Sequence, residues 1–254
     1  MIFVNIFTYK GDEEIVTYAA RSAKLVFGKD CEVNVIDDAN NPISEKYKDI
    51  LIEYNIKYRT SSFNRNHNLN GKECCVGILE EIIKSTEGDK IGISIKLDSD
   101  TLIFKRKLFD EFIKNDRITY MATNRPAGIF SGICYCIKNN ILDKCLKNMK
   151  AIDIDATIAP EDVAIGCIAV LSGFPGTNYI IPPWNDITKD GLSCGWFYKN
   201  ENKKEIFAKY YELFTICSVG NWFLTDGLKR EDRNIVMKGL FDQIPENLNT
   251  DIIY

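Results

Sequence analysis

The sequence predicts an α/β fold with a mostly parallel central sheet and helices on both faces. Three observations carry this. Strand-like and helix-like patterns alternate through the first hundred residues. The strand candidates are near-continuous apolar runs, as expected of strands buried on both faces. Acidic residues stand where those runs end, which is where such sheets bind ligands. At 254 residues the chain is long enough for one large domain or two small ones. No repeat, low-complexity tract or clear linker divides it, so a single domain over 1–254 is the expectation.

Taken in order, Ile2 to Tyr9 reads as a first strand, followed by a polar turn at Gly11 and Asp12. Ile15, Tyr18, Ala19, Ser22 and Val26 recur at helical spacing. Val33 to Ile36 forms a second strand that ends in Asp37-Asp38, a helix covers about Ser44 to Tyr54, and Ile56 to Arg59 is a short third strand. After a polar loop, Asn70 with Glu73 resembles a capping box opening a helix whose Cys75, Ile78, Leu79, Ile82 and Ile83 share a face. In the less regular second half, Leu108 to Ile113, Ile141 to Met149 and Phe223 to Gly239 read as helical, and Ile118 to Thr123 and Phe214 to Val219 as strands. The segments 175–184 and 191–198 read as loops or short strands. Two glycines between Gly128 and Ile137 suggest close backbone approach. Pro160 followed by Glu161-Asp162 is a helix start.

The chemistry-bearing stretch is Ile93-Ser94-Ile95-Lys96-Leu97-Asp98-Ser99-Asp100-Thr101-Leu102-Ile103. Side chains alternate along a strand, so Asp98 and Asp100 are expected to point the same way at its end. Two hard oxygen ligands suit Mg²⁺ or Mn²⁺, which keep several waters and complete their shell with substrate phosphates. The alternative is a solvated, turn-forming acidic pair. A second D-x-D, Asp153-Ile154-Asp155, lacks the apolar lead-in and reads as loop.

Net charge is −4, and no basic tract resembles a nucleic-acid footprint. Lys105-Arg106-Lys107, and Lys199 with Lys203-Lys204, read as solvated faces. Nine cysteines, an odd number without a C-x-x-C pair, argue against a zinc ribbon or a thioredoxin-type motif and fit reduced thiols in a cytoplasmic protein. Cys134 and Cys136 should fill the core from one face of a strand. No segment reaches transmembrane length, and the apolar N-terminus is too short for a signal peptide.

The order of these features resembles nucleotide-sugar-dependent glycosyltransferases of the GT-A (Rossmann-like) fold, nearest to the β-1,3-glycosyltransferase and Fringe-like group. The resemblance rests on Ile95 to Thr101, on Phe130-Ser131-Gly132-Ile133-Cys134-Tyr135-Cys136-Ile137, and on Pro160-Glu161-Asp162-Val163-Ala164-Ile165-Gly166, in register over roughly 90–175. It implies a nucleotide-binding half at 1–103 and an acceptor-side half at 104–254. Asp98 and Asp100 would bind Mn²⁺ or Mg²⁺. Asp162 would be the general base, with Glu161 as alternate, taking the acceptor hydroxyl's proton in a transfer with inversion. A carboxylate at a helix N-terminus tends to stay ionised, so burial would have to raise its pKa. Tyr9 would stack on the base, Asp37 or Asp38 would accept from base or ribose, and Asn70, Lys72 and Lys96 would lie near the diphosphate. The group usually supplies a third metal ligand, often histidine, from its C-terminal region. This chain's single histidine is His67, and Cys217, Asn221 and Asp226 occupy that region instead.

The implied reaction moves a sugar from a nucleotide sugar, a UDP-sugar, to a hydroxyl of a surface glycan, a lipid-linked glycan, a protein or a modified base in viral DNA. Three other functions share parts of this logic. A haloacid-dehalogenase-type phosphatase wants threonine two places after the second Asp, where Leu102 stands. A nucleotidyltransferase wants a Gly-rich basic loop after the first strand, where only Lys10-Gly11 is present. A non-catalytic nucleotide- or glycan-binding module is the third.

Overall fold

The computed structural model describes residues 1–65, 69, 71–124, 130–152, 160–173, 179–181, 213–215 and 230–244. Strand β1 (Ile2–Thr8) leads to helix α1 (Ile15–Phe27), then β2 (Cys31–Asp37), α2 (Glu45–Glu53), β3 (Lys57–Thr60), α3 (Lys72–Ser85) and β4 (Ile93–Asp98). The chain continues as β5 (Thr101–Ile103), α4 (Lys107–Lys114), β6 (Tyr120–Asn124), β7 (Phe130–Lys138), α5 (Leu142–Ala151), α6 (Glu161–Ser172), β8 (Tyr179–Ile181), β9 (Leu213–Thr215) and α7 (Arg230–Phe241).

Among the described residues seven strands form one sheet in the order β3-β2-β1-β4-β7-β6-β8. Every strand of that sheet runs the same way except β7, which is antiparallel to both β4 and β6. The sheet is therefore mostly parallel, as the apolar runs predict. All seven residues of β1 are buried, which suits a strand covered on both faces. On one face Val4, Ile6, Val33, Val35, Ile95 and Leu97 pack with Ala19 and Ala23 of α1 and with Met237 and Leu240 of α7. On the other, Phe7, Tyr120, Tyr135 and Ile137 pack with Ile78 and Ile82 of α3, Cys145 of α5 and Ile165 and Ile168 of α6. Cys134 and Cys136 lie in the first core and Tyr135 in the second, so strand alternation puts both sulfurs on one face. Among the described cysteines only Cys167 is exposed.

Two local expectations change. The apolar run does not cross the acidic pair as one strand. Strand β4 stops at Asp98, Ser99-Asp100 turns, and β5 leaves the sheet to pair antiparallel with β9. The N-cap of α3 is Gly71 at φ +97°, a left-handed conformation that favours glycine, and it makes no side-chain cap bond; Asn70 lies outside the described residues. Asp153, Asp155, His67, Cys217, Asn221, Asp226 and the lysines at 199, 203 and 204 also lie outside them. Among the described residues no helix is long and apolar enough to cross a membrane.

The loop from β3 into α3 is held by two devices. Glu81 of α3, with 1% of its side chain exposed, pairs with Arg59 at 2.9 Å and Lys84 at 2.8 Å. It also accepts from the Ser62 backbone N–H and hydroxyl. Phe63 lies against Gly77 of α3 and against the Phe7 ring, with centroids 6.3 Å apart. A Cβ at Gly77 would fall 2.3–2.7 Å from Phe63 ring and Cβ atoms.

Two outcomes follow. Gly77→Ala gains about 1 kcal/mol of helix propensity, but the clash reaches the Phe63 Cβ, so the ring cannot simply swing aside. Overpacking costs roughly 1–3 kcal/mol, so urea unfolding should show a net loss; a variant as stable as wild type would contradict this packing. Burial alone would raise the Glu81 pKa, but Lys84, Arg59 and Ser62 outweigh it and bring it down to about 2. Its stabilisation, at most about 3 kcal/mol, is full above pH 4.5 and lost as pH falls toward 2. The stability gap between wild type and Glu81→Gln should therefore shrink between pH 5 and pH 2.5, and a constant gap would refute the pairing.

Candidate active site

The parallel register aligns the carboxyl ends of the strands. Phe7 pairs with Asp98, Thr8 with Asp37, and Asp37 with Thr60. Because β7 runs the other way, its early residues reach the same edge, with Cys134 opposite Leu97. Gly132 therefore lies beside the end of β4, and α6 begins there with Glu161-Asp162. Three stretches far apart in sequence thus meet at one sheet edge.

Lys96 binds them together. Its side chain is only 2% exposed, and its ammonium contacts the Asp98 carboxylate, lies 3.0 Å from Glu161 Oε1, and donates to the Gly132 carbonyl at 2.6 Å. Burial opposes its charge, but Asp98 and Glu161 more than compensate and raise its pKa. The Asp98 side chain keeps 38% of its surface open, yet surrounding protein pushes its pKa up to about 6. Lys96 works against that burial, while Asp100 and Glu161 add to it. Three carboxylates crowding one another favour an added cation.

The other half of the acidic pair faces a second network. Asp100, 6% exposed, lies 3.9 Å from the guanidinium of Arg233 on α7. Arg233 also pairs with Asp12 at 3.3 Å, and Asp12 accepts the Ser99 hydroxyl at 2.7 Å. Burial holds the Asp12 carboxyl above its usual range. The described residues hold no group of three histidine, cysteine or acidic side chains arranged as a metal cage, so a cation at Asp98 and Asp100 would complete its shell with water and ligand oxygens, as Mg²⁺ commonly does.

Asp162 is 1% exposed. One of its oxygens accepts the Gly132 N–H and the other its neighbour Val163's N–H, both at 2.8 Å. Gly132 permits this approach, because a Cβ there would fall 3.2 Å from both Asp162 Cβ and Glu161 Oε1. This is the close backbone approach that the glycines of this run suggest.

The remaining sequence candidates divide. Tyr9 sits directly after β1, at the site edge. Asp37 is fully buried and its oxygens are occupied by the Tyr58 hydroxyl at 2.7 Å and the Ile43 and Asp38 N–H groups at 2.8 and 2.9 Å. Asp38 accepts the Asn40 N–H as a turn residue. Lys72 donates to the Ile152 carbonyl at 2.7 Å, tying α3 to the end of α5. Lys96 is an internal ion-pair partner of Asp98 and Glu161. Asp12, Ser99 and Arg233 escaped sequence reasoning. The only signal for Asp12 was its place in the Gly11-Asp12 turn, and Arg233 had none.

No family model and no curated protein matches this sequence. Among solved structures the fold is similar to that of galactosyltransferase LgtC in complex with donor and acceptor sugar analogs. The TM-score is 0.57 at 12% identity, over 94% of this chain and 96% of that one. It is also similar to glycosyltransferase GlyE of Streptococcus pneumoniae, with a TM-score of 0.53 at 12% identity, over 95% of this chain and 62% of that one. These matches give no support to the narrower Fringe-like assignment. At such identity they establish architecture alone: the chain has the α/β fold of GT-A glycosyltransferases, and its acidic pair ends the central strand β4.

Proposed function

We propose that the chain is a metal-dependent glycosyltransferase that moves a sugar from a nucleotide sugar, a UDP-sugar, to a hydroxyl acceptor such as a glycan, a lipid-linked glycan or a modified nucleic-acid base. The observation that carries this is the convergence of Asp98, Asp100, Asp12 and Glu161 at the carboxyl edge of a sheet whose fold is shared with glycosyltransferases. Asp98 and Asp100 are the residues that would hold Mn²⁺ or Mg²⁺. A divalent ion held by these two residues would supply charge stabilisation to a departing nucleoside diphosphate.

The chain's own groups set the geometry. Lys96 fixes the Asp98 carboxylate and ties it to Glu161. Asp162 fixes Gly132 and the first turn of α6 through two backbone amides. As general base, Asp162 would have to meet the acceptor from a position only 1% exposed, with both oxygens already bonded to backbone amides, whereas Glu161 would act from beside Lys96. The geometry therefore favours a positioning role for Asp162. The phosphatase alternative needs a hydroxyl at the position of Leu102, which is fully buried in β5.

Asp98→Ala and Asp100→Ala should each reduce Mn²⁺-dependent hydrolysis of a UDP-sugar at least a hundredfold while leaving a cooperative melt, since a lost cation site removes several kcal/mol of charge stabilisation. Turnover that survives both changes would refute the metal assignment. For Asp162→Asn, the account expects weakened stability and a modest rate loss, because the amide side chain still accepts one backbone N–H. A rate loss of about a thousandfold, in the range of a missing general base, with unchanged stability would restore the base role. The anomeric configuration of the product, read by NMR, is the companion test: inversion supports a base at Asp162 or Glu161, and retention removes it from both.

A further inference from the structure

The loop between β3 and α3 carries a cation, Arg65, that no local sequence pattern marks. The Arg65 guanidinium lies over the Tyr9 ring, with Cζ 5.0 Å from the ring centroid. Its Nη1 is buried and has no hydrogen-bond partner among the described residues. Its charge acts on Asp12, the carboxylate that holds Ser99 between Asp98 and Asp100. Arg65 therefore stands over the turn that follows β1, brought there by a loop anchored through Phe63 and Ser62.

Among the described residues, the other two cations at this edge are engaged: Lys96 by Asp98 and Glu161, Arg233 by Asp12 and Asp100. A buried N–H left without an acceptor is costly. A guanidinium stacked on an aromatic face keeps its in-plane N–H edge for an oxyanion, which it can grip through two bonds.

We propose that Arg65 is a donor-binding residue whose unpartnered Nη1 takes the diphosphate of the nucleotide sugar, between Tyr9 and the Asp98–Asp100 turn. This rests on the nucleotide-sugar reading above and adds a contact from the N-terminal half of the chain. It assigns Tyr9 a second task, as the platform that aims the guanidinium.

The test is binding to wild type, Arg65→Ala and Arg65→Lys, with and without Mn²⁺. Calorimetry would follow UDP and inorganic pyrophosphate, and ligand-observed NMR would follow uridine. Arg65→Ala should weaken UDP and pyrophosphate roughly tenfold or more, the loss of a charge-assisted hydrogen bond, and leave uridine unchanged. Arg65→Lys should recover part of that loss. The ligand-free melting temperature of Arg65→Ala should change little, because the lost contact with Tyr9 is offset by removal of an unsatisfied buried group. Unchanged UDP affinity, or an equal loss for uridine and UDP, would overturn the inference and leave the donor reading standing. So would a ligand-free melting temperature several degrees below wild type. A wild-type protein that binds none of UDP, ADP, GDP and CDP would overturn both.

Discussion

The site depends on the parallel pairing of β1 with β4 at the centre of the sheet. Both strands are buried, and their register sets Phe7 against Asp98. The turn after β1, which carries Tyr9 and Asp12, is thereby placed beside the turn after β4, which carries Ser99 and Asp100. A slip of one residue would send every side chain of the strand to the opposite face, driving Lys96 into an apolar core and Leu97 toward the carboxylates. Two apolar cores, one on each face, enforce the register. The hydrophobic pattern that makes the fold therefore also fixes the position of the acids.

That arrangement concentrates like charge at one edge, and the protein offsets it with cations drawn from distant elements. Lys96 rises from within β4 to meet Asp98 and Glu161, while Arg233 comes from α7 to meet Asp12 and Asp100. Each is nearly buried, where removing one partner leaves an uncompensated charge. The same ammonium touches the Gly132 carbonyl, so the geometry of β7 and α6 is tied to the acid at the end of β4. Asp162 closes this arrangement from the other side by holding the Gly132 amide. Gly132 is thus held at its N–H by Asp162 and at its C=O by Lys96, and a side chain at this position would press on Asp162 and Glu161.

Much of the framework was legible in the sequence, because long apolar runs and 3.6-residue periodicity are local signals. Strands β1 and β2, helices α1 and α3, the helix start at Glu161 and the paired sulfurs of β7 all follow from them. The break between β4 and β5 was not legible. An acidic residue followed by serine and a second acid reads equally well as alternation along a strand or as a turn, and only the pairing of β5 with β9 decides it. The partners of Lys96 and Lys72 were hidden for a related reason. Neither an apolar run nor a polar loop marks whether a lysine's ammonium faces solvent, a carboxylate or a backbone carbonyl. Asp12, bonded to Ser99 across 87 positions and to Arg233 across 221, was invisible because no local pattern encodes such contacts.

The central claim is that Asp98 and Asp100 jointly hold a divalent ion at the end of β4. The most direct measurement is anomalous diffraction at the manganese edge from crystals grown with Mn²⁺ and UDP. The account predicts one strong peak within coordination distance, roughly 2.0–2.4 Å, of an oxygen from each aspartate, with phosphate oxygens completing the shell. A peak elsewhere, or UDP bound at this edge with no metal beside either aspartate, would contradict it.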